Sequence, residues 1–327
     1  MTKLKRIAVL SSGGDAPGMN AAIRAVVRTA VYHDIKVFGV NRGYEGLISG
    51  DVMQLKKADV ANIIHKGGTI LKTARSDEFR TPEGRQKAYD FIKAFEIDGI
   101  VVIGGDGTYT GAMKLSKEHD VRIVGLPGTI DNDIFGTDYT IGFDTAINTA
   151  VEAVDKIRDT ADSHSRLFFI EVMGRHSGYI ALYTGIGSGS SYIFLPEEEN
   201  SLEEFIDLLE KSNRRNKLFN LVIVAEGNTN GGAQELSKIV KDQLGSDLDI
   251  RNAVIGHLQR GGSPTAADRI LASRLGYHGV NALIENQTNV ALGIVDKKVV
   301  YTELSVAISK KKLPDQNMIS MAEILAL

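Results

Sequence analysis

The chain has 327 residues, of which 43% are hydrophobic and 24% are charged, and its formal net charge is -3. This balance argues against a general polyanion binder and gives no support for a nucleic-acid role, although it leaves room for local basic pockets that bind small phosphates. The absence of cysteine excludes disulfides, thiolate catalysis and zinc-cysteine sites. The length favours two domains. The first apolar run is too short for a signal peptide core or a membrane span, so we expect a soluble, cytoplasmic protein.

Strands and helices are predicted to alternate from the start of the chain. A short apolar run, Ile7 to Leu10, leads into a glycine loop, and helical spacing follows from Asn20 to Val31. The other elements predicted in the first half are a strand at Val37 to Val40, a helix through Ala88, Phe91, Ile92 and Phe95, and strands at Gly99 to Ile103 and Ile123 to Leu126. This alternation is typical of a parallel sheet covered by helices on both faces.

The second half repeats the alternation. The predicted strands are Leu167 to Val172, Ile193 to Leu195 and Leu221 to Ala225, and the predicted helices are Ala146 to Ile157, Leu202 to Leu209, Ala233 to Leu244 and Ile270 to Ile284. We expect the first domain break near Tyr139 to Phe143, and a helix after Pro314 that closes one of the domains.

Two glycine loops, Ser12 to Asp15 and Gly104 to Thr108, each follow a predicted strand and precede a predicted helix. Their backbone N–H groups and the helix dipole then face an incoming anion. Neither loop fits the P-loop or the GxGxxG pattern, so each alone is compatible with an ordinary tight turn. Asp106 inside the second loop would repel a phosphate unless a cation intervened. Mg²⁺ carried by substrate phosphates meets that requirement.

Polar side chains follow the strand that ends at Leu126. If the backbone stays extended beyond it, Thr129, Asp131 and Asp133 point to the same side, at the carboxyl end of a strand, where open α/β sheets bind ligands. The alternative is a turn closed by Asx side chains. A calcium loop is disfavoured, because phenylalanine and glycine stand where oxygen ligands are required.

Five arginines lie in or beside predicted loops, where a guanidinium can bind phosphate through two hydrogen bonds. They are Arg75, Arg166, Arg175, Arg251 and Arg260. Any one of them is better explained as solvated surface, whereas five at strand ends and glycine loops favour an anion site. The histidines show no metal-binding spacing and HExxH is absent. Hydrolysis by a Ser-His-Asp triad has no support, because there is no GxSxG element.

The chain resembles the bacterial type of the ATP-dependent 6-phosphofructokinase family from Arg6 to about Gly293. Five sequence blocks carry this resemblance: Ser12 to Asn20, Gly104 to Thr108, Pro127 to Asp133, Val172 to Arg175 and Gly256 to Pro264. The resemblance implies two Rossmann-like three-layer α/β domains with largely parallel sheets, an active site in the cleft between them, and a homotetramer. The implied ATP- and magnesium-binding domain takes residues 1–141 and about 258–305; the implied fructose 6-phosphate domain takes about 142–257 and 306–327.

The resemblance also implies residue roles in phosphoryl transfer from MgATP to the 1-hydroxyl of fructose 6-phosphate. Asp131 would be the general base with Thr129 beside the reaction, Arg175 and Arg75 would stabilise charge on the transferring group, and Asp106 would hold Mg²⁺. The residues implied to surround ATP are Gly14, Tyr44, Arg75, Ser76, Gly105, Asp106, Gly107 and Thr108. Those implied to contact fructose 6-phosphate are Thr129, Ile130, Asp131, Arg166, Met173, Gly174, Arg175, Glu226, Arg251, His257, Leu258, Gln259 and Arg260, with Arg166 and Arg251 reaching in from a neighbouring subunit.

Two glycines favour ATP over pyrophosphate as the phosphoryl donor. Pyrophosphate-dependent relatives typically carry Asp in place of Gly107 and Lys in place of Gly128, and a side chain at either position would occupy volume that ATP needs. The alternatives are a pyrophosphate-dependent phosphofructokinase, a kinase of another sugar phosphate, and a non-catalytic nucleotide or sugar-phosphate sensor. A sensor predicts damage at Asp131, Asp106 or Arg175, and all three residues are intact.

The family's effector site between subunits binds ADP or phosphoenolpyruvate. The residues that match it here are Arg24, Arg28, Arg158, Gly189, Arg215 and Lys217. Three positions depart from the regulated pattern: Ser191 replaces a magnesium-binding Glu, Asn62 an Asp, and Ala58 a Tyr. Loss of a carboxylate that holds a cation should weaken ADP more than an anion bound by arginine alone. We therefore expect reduced or absent activation by ADP. A response to phosphoenolpyruvate is compatible with the residues that match the site. The alternative is that Arg215 and Lys217 belong to a solvated basic loop.

Overall fold

The structure is a computed structural model that describes residues 4–164, 166–198, 202–214, 221–245 and 249–326. The strands are β1 (Arg6–Ser11), β2 (Lys36–Val40), β3 (Val52–Leu55), β4 (Gly99–Gly104), β5 (Ile123–Pro127), β6 (Leu167–Val172), β7 (Tyr192–Phe194), β8 (Leu221–Ala225), β9 (Ile250–Val254), β10 (Val290–Val295) and β11 (Lys298–Glu303). The helices are α1 (Met19–Tyr32), α2 (Tyr44–Ser49), α3 (Pro82–Ala94), α4 (Asp106–His119), α5 (Phe143–His164), α6 (Tyr179–Ser188), α7 (Leu202–Arg214), α8 (Ala233–Leu244), α9 (Ala266–Ile284), α10 (Leu304–Ser309) and α11 (Gln316–Leu325). Two 3₁₀ turns lie at Glu78–Arg80 and Gly256–Arg260.

The chain divides into two compact units. The first unit comprises Met1–Ile130, Ile134–Thr145 and Arg260–Lys312. The second comprises Asp131–Asp133, Ala146–Gln259 and Leu313–Leu327. The ligands assigned to the two predicted domains remain predictions. No helix in the described ranges is long and apolar enough to cross a membrane.

The first unit is built on a sheet whose described strands follow the order β11-β10-β5-β4-β1-β2-β3. Neighbouring strands are parallel except at the two edges, where β3 pairs antiparallel with β2 and β11 pairs antiparallel with β10. Strands β4 and β5 are buried along their whole length, as expected for strands covered by helices on both faces. Helices α1 and α9 approach so closely that the backbone of Ala22 leaves no room for a side chain at Gly276.

The second unit has a parallel sheet whose described strands follow the order β7-β8-β6-β9. Its core contains an aromatic cluster of Phe169, Phe194 and Phe205, all fully buried. The ring centroids of Phe194 and Phe205 lie 5.0 Å apart at 70°, an edge-to-face arrangement that aromatic rings favour. This packing fixes helix α7 against strands β6 and β7.

The predicted α/β architecture with largely parallel sheets is confirmed, and each predicted strand and helix overlaps an observed one. The helix expected after Pro314 is α11, which belongs to the second unit. The sequence did not predict the hairpin of β10 and β11. Its two-residue turn, Asp296 and Lys297, has φ values of 48° and 65°, and such turns are usually recognised by a glycine that is missing here. Helices α2, α6 and α10 and strands β3 and β9 were also not predicted.

Candidate active site

The two glycine loops are joined to each other within the first unit. Strands β1 and β4 are neighbours in the sheet. The Ser12 N–H donates to the Ile103 carbonyl at 3.0 Å, and the Thr108 hydroxyl donates to the Ser12 carbonyl at 3.0 Å. Strand β2 lies on the other side of β1, so the strand order reverses between β1 and β4. In open α/β sheets, ligands bind beyond the carboxyl ends of the strands at this point.

Asp106 is the first residue of α4 and its side chain is exposed. The N-terminus of this helix provides backbone N–H groups and a positive dipole end, which favour bound phosphate. The described residues contain no group of three or more His, Asp or Glu side chains that could hold a metal ion by themselves. A single exposed carboxylate at a helix N-terminus that favours phosphate fits Mg²⁺ that would take its remaining ligands from phosphate and water.

Tyr44 connects the second glycine loop to the turn that follows Arg75 and Ser76. Its ring stacks on Phe79 with centroids 3.9 Å apart and planes 8° apart. Its hydroxyl donates to the Thr108 carbonyl at 2.5 Å. Burial raises the pKa of the Tyr44 phenol well above its ordinary value. The Arg75 side chain is exposed and the Ser76 hydroxyl accepts from the Phe79 N–H at 3.3 Å. The stack therefore restrains the turn that directly follows Arg75 and Ser76.

Arg260 lies against the first glycine loop. Its Nη1 donates to the Asp15 carbonyl at 3.2 Å. A Cβ added to Gly14 would lie 2.6 Å from the same Nη1 atom, so a side chain at this position would displace the guanidinium. The first unit thus places a residue predicted to bind the sugar phosphate beside a residue predicted to bind ATP.

The segment after β5 does not stay extended, and the prediction that alternation aligns Thr129, Asp131 and Asp133 is wrong. The backbone bends at Ile130 and Asp131, and Asn132 has a φ of 53°. Asparagine and aspartate tolerate this left-handed region and favour turns, which is the physical reason for the bend. Thr129 still belongs with the glycine loop, because a Cβ on Gly105 would lie 3.7 Å from the Thr129 Cβ.

Arg175 lies in a tightly held turn of the second unit. Its φ is 54°, a conformation that costs energy for a residue with a side chain. Its N–H donates to Glu226 Oε1 at 2.7 Å, and the Ser177 N–H donates to the Gly174 carbonyl at 2.9 Å. The Arg175 carbonyl occupies the space that a side chain on Gly227 would need. A strained conformation maintained by several contacts is typical of functional sites.

The second unit also pairs two arginines that the resemblance assigned to the sugar phosphate. Arg166 Nε lies 2.6 Å from Asp249 Oδ2, and Arg251 Nη2 lies 3.0 Å from Asp249 Oδ1. One carboxylate therefore aligns two guanidinium groups. Asp249 was not predicted as a site residue.

The other predicted sugar contacts differ in exposure. Ile130 and Gln259 are fully buried and Met173 nearly so, whereas His257 and Leu258 are exposed. The Gln259 side chain donates to the Gly256 carbonyl at 3.1 Å. The roles of all these residues stay predictions.

Comparisons with known proteins identify the family. The family model described as Phosphofructokinase matches residues 6–283. The chain belongs to the phosphofructokinase family. It is 54% identical over 324 residues to a protein of Thermus thermophilus named ATP-dependent 6-phosphofructokinase 1. The match covers 99% of this chain and 100% of that relative. It is 52% identical over 322 residues to the ATP-dependent 6-phosphofructokinase of Cytophaga hutchinsonii, with 98% of each chain covered.

A solved structure agrees with this family assignment. The phosphofructokinase of Pichia pastoris in the T-state superimposes with a TM-score of 0.88 at 37% identity and covers 100% of this chain. This chain spans 37% of that longer one.

The two glycines used to distinguish phosphofructokinase donors have different surroundings. A Cβ on Gly107 would meet nothing within 4 Å, so this position borders open space where a ligand could lie. A Cβ on Gly128 would lie 2.9 Å from Ile103 Cγ2 and 3.0 Å from Met19 Cε. A side chain at Gly128 would therefore clash first with Ile103 and Met19. This corrects the expectation that such a side chain would mainly occupy volume that ATP needs.

The described positions matched to the phosphofructokinase effector site fall in both units. Arg24 and Arg28 lie on α1, where burial, followed by repulsion from Arg28, lowers the pKa of Arg24. Arg158 donates to the carbonyls of Ser188 and Gly189. Arg215 and Lys217 lie outside the described residues.

Three residues that hold segments around the predicted site were not predicted: Ser177, Asp249 and Asp268. Asp268 is buried on α9, where it accepts hydrogen bonds from the Gly142 and Thr145 N–H groups at 2.8 Å and so caps α5. Burial raises the pKa of Asp268. Ser177 and Asp268 adjoin family sequence blocks, which is a weak signal for them. No sequence pattern pointed to Asp249.

Proposed function

We propose that this phosphofructokinase transfers the γ-phosphoryl group of MgATP to the 1-hydroxyl of fructose 6-phosphate, giving fructose 1,6-bisphosphate and ADP. The observation that carries the proposal is the exposed carboxylate of Asp106 at the N-terminus of α4, in a loop joined to a second glycine loop. Two loops that favour phosphate and one carboxylate that requires a cation suit a nucleotide with its metal. Relatives at 52% and 54% identity that carry the name ATP-dependent 6-phosphofructokinase support the donor.

The nucleotide side of the reaction is assigned to the first unit. The backbone N–H groups of Gly105 to Thr108 would bind the phosphates of ATP, and Asp106 would hold the Mg²⁺ that arrives with them. That ion would neutralise charge on the phosphate oxygens. Arg75, whose side chain is exposed, would add a positive charge at the phosphates. Phosphoryl transfer depends mainly on such alignment and charge compensation.

The acceptor side is assigned mainly to the second unit. Asp131 would accept the proton of the sugar 1-hydroxyl, which then attacks the γ-phosphorus in line with the leaving ADP oxygen. Arg175 would stabilise the charge that develops on the transferring group. Glu226, Arg166 and Arg251 would bind the sugar and its 6-phosphate. The hydrogen bond that holds the Arg175 backbone supports this role, because a fixed turn limits the reorganisation needed to bring the guanidinium to the transferring group.

Assembly, regulation and location belong to the same proposal and depend on the family resemblance. We expect a homotetramer in which Arg166 and Arg251 contact a neighbouring subunit's substrate, an effector site for ADP or phosphoenolpyruvate, and a cytoplasmic location. The alignment of both arginines by one carboxylate, Asp249, supports their use as a pair.

A coupled assay for ADP release tests the proposal. The purified protein is mixed with ATP and Mg²⁺, and fructose 6-phosphate is then added. We expect ADP release that depends on fructose 6-phosphate and stops when Mg²⁺ is chelated. A parallel reaction receives pyrophosphate in place of ATP. Turnover with pyrophosphate alone would overturn the choice of donor. Binding of both ligands without turnover would instead indicate a sensor.

A further inference from the structure

A hydrogen bond joins two segments of the second unit. The Ser177 hydroxyl donates to the Asp131 backbone carbonyl at 2.7 Å. Both residues are buried, with 5% of each exposed. Asp131–Asp133 is a three-residue segment that groups with the second unit although the chain on both sides of it belongs to the first. Ser177 thus connects this short segment to the body of the second unit.

Ser177 is itself fixed relative to Arg175. Its N–H donates to the Gly174 carbonyl and closes the turn that contains Arg175. Glu226 holds the same turn from the other side through the Arg175 N–H. The position that Ser177 imposes on Asp131 is therefore defined relative to the Arg175 backbone.

The Asp131 segment needs such a restraint. Its backbone bends at Ile130 and Asp131 and is left-handed at Asn132, so it lies outside any strand or helix that could fix it. A hydrogen bond to the Asp131 carbonyl restrains the plane of the following peptide, and with it the direction of the Asp131 Cα–Cβ bond.

We propose that Ser177 is a positioning residue that holds the Asp131 carboxyl in register with the Arg175 guanidinium during phosphoryl transfer. This inference rests on the proposed function, in which Asp131 is the base and Arg175 stabilises the transferring group. Ser177 does not touch the substrates in this scheme and acts through the Asp131 backbone. A displacement of about 1 Å at a reacting group can lower a rate by about 100-fold.

The first experiment compares Ser177→Ala with a matched control, Ser116→Ala. Ser116 is also buried and its hydroxyl also donates to a backbone carbonyl, that of Met113 at 3.1 Å in α4. We expect Ser177→Ala to lower kcat by about 10-fold or more, with the KM for ATP within about twofold of the parent value. The control should change kcat by less than about twofold. If both variants lose activity equally, the loss is a general effect of a missing buried hydroxyl and the inference fails.

A double-mutant cycle separates positioning from stability. In the Asp131→Ser background the base is already absent, so Ser177→Ala should lower Tm as it does in the parent enzyme but should cause no further loss of kcat. Independent, multiplying losses of kcat would overturn the inference. If Ser177→Ala does not fold, Ser177→Cys keeps the size and supplies a weak donor. Its kcat should still fall, and parent-level turnover in this variant would also overturn the inference.

The outcomes distinguish this inference from the proposed function. Near-normal turnover of Asp131→Ser would remove Asp131 as the base and contradict the proposed function. An impaired Asp131→Ser variant together with a fully active Ser177→Ala variant would leave the proposed function standing and contradict only the positioning role of Ser177.

Discussion

Replacing Asp131 by serine removes the proposed general base and keeps a small polar side chain. General-base catalysis typically contributes about 10²–10⁴-fold to a rate. We expect Asp131→Ser to lower kcat by at least this much while the KM for fructose 6-phosphate stays within a few-fold, because the base acts in the transition state rather than in ground-state binding. Steady-state kinetics with saturating ATP measure both quantities. A rise in KM at unchanged kcat would assign Asp131 to substrate binding instead.

Tyr109 carries a buried hydroxyl that has no hydrogen-bond partner among the described residues. Burial raises the pKa of this phenol well above its ordinary value, so the group is neutral. An unsatisfied buried hydroxyl costs about 1–3 kcal/mol. We expect Tyr109→Phe to leave the free energy of unfolding unchanged or to raise it by about 1 kcal/mol in urea titrations.

Tyr179→Phe is the matched control for this change. The Tyr179 hydroxyl donates to the Leu313 carbonyl at 2.7 Å. Its removal should lower the free energy of unfolding by about 1 kcal/mol. Equal destabilisation by both substitutions would show that the Tyr109 hydroxyl is satisfied in solution.

The sequence predicts candidate residues for the site, but it does not predict the contacts that hold them. Asp106 and Arg175 stand in sequence blocks that carry the family resemblance, and that resemblance implies their roles. Ser177 and Glu226 act on backbone groups 46 and 51 residues away along the chain. Contacts of this kind depend on tertiary packing, so spacing alone could not predict them.

Helices α3 and α4 are joined by an ion pair of unequal exposure. The Arg85 side chain is 5% exposed and that of Glu118 is 35% exposed, and Arg85 Nε lies 2.6 Å from Glu118 Oε2. Arg85 Nη1 also donates to the carbonyls of Phe79 and Arg80 at 3.0 and 2.7 Å. The pair therefore supports the turn on which Tyr44 stacks, and through it the segment that carries Arg75.

Glu118→Gln should destabilise the protein in a pH-dependent way. The hydrogen bond from Arg85 holds the pKa of Glu118 below its usual range, so the ionised pair contributes stability at neutral pH that is lost as the pH falls through this lowered pKa. We expect a loss of about 1–2 kcal/mol at pH 7, reduced by solvent screening at Glu118, and a smaller difference from the parent in acid. Urea titrations across pH measure it.

Glu152→Gln provides the control, because Glu152 pairs with Lys156 on the exposed face of α5 with side chains 70% and 71% exposed. Exposed pairs contribute little, so this variant should match the parent. A pH-independent loss in Glu118→Gln would mean that the charge of Glu118 is not what stabilises the pair.

Elements were predictable where the hydrophobic pattern was continuous. Strands β1, β4 and β8 are buried apolar runs that end in turn-forming residues, and their bounds follow from the sequence. The edge strands β3 and β11 are half exposed and lack that pattern. The turn between β10 and β11 forms without glycine, so its usual signal was missing.

The expected response to ADP follows from one missing carboxylate. Ser191 stands where a carboxylate that binds magnesium is expected, so a diphosphate would lose the cation that compensates its charge. We expect ADP to activate the purified enzyme weakly or not at all when ATP is held at a fixed level. Velocity is measured against fructose 6-phosphate with and without ADP. The same measurement on Ser191→Glu tests whether the missing carboxylate is the cause. Strong activation of the parent enzyme would contradict the prediction.

The overall architecture was accessible because several long sequence blocks in one order identify a family, and a family shares a fold. The sequence predicted only approximately which separate chain segments make up each unit. The return of the chain to the second unit after Lys312, rather than near residue 306, depends on α10 packing beside α4 in the first unit. No local pattern in that segment records such a contact.

The order of strands in the first unit has a consequence for synthesis on the ribosome. Strand β5 pairs with β10, which follows the whole of the second unit's sheet in the chain. The edge of β5 therefore stays unpaired while strands β6 to β9 of the second unit are translated, and β10 joins the first sheet only after them. Long-range parallel pairing is slow, and open strand edges associate with other chains. Nascent chains stalled before Val290 should therefore depend most on chaperones.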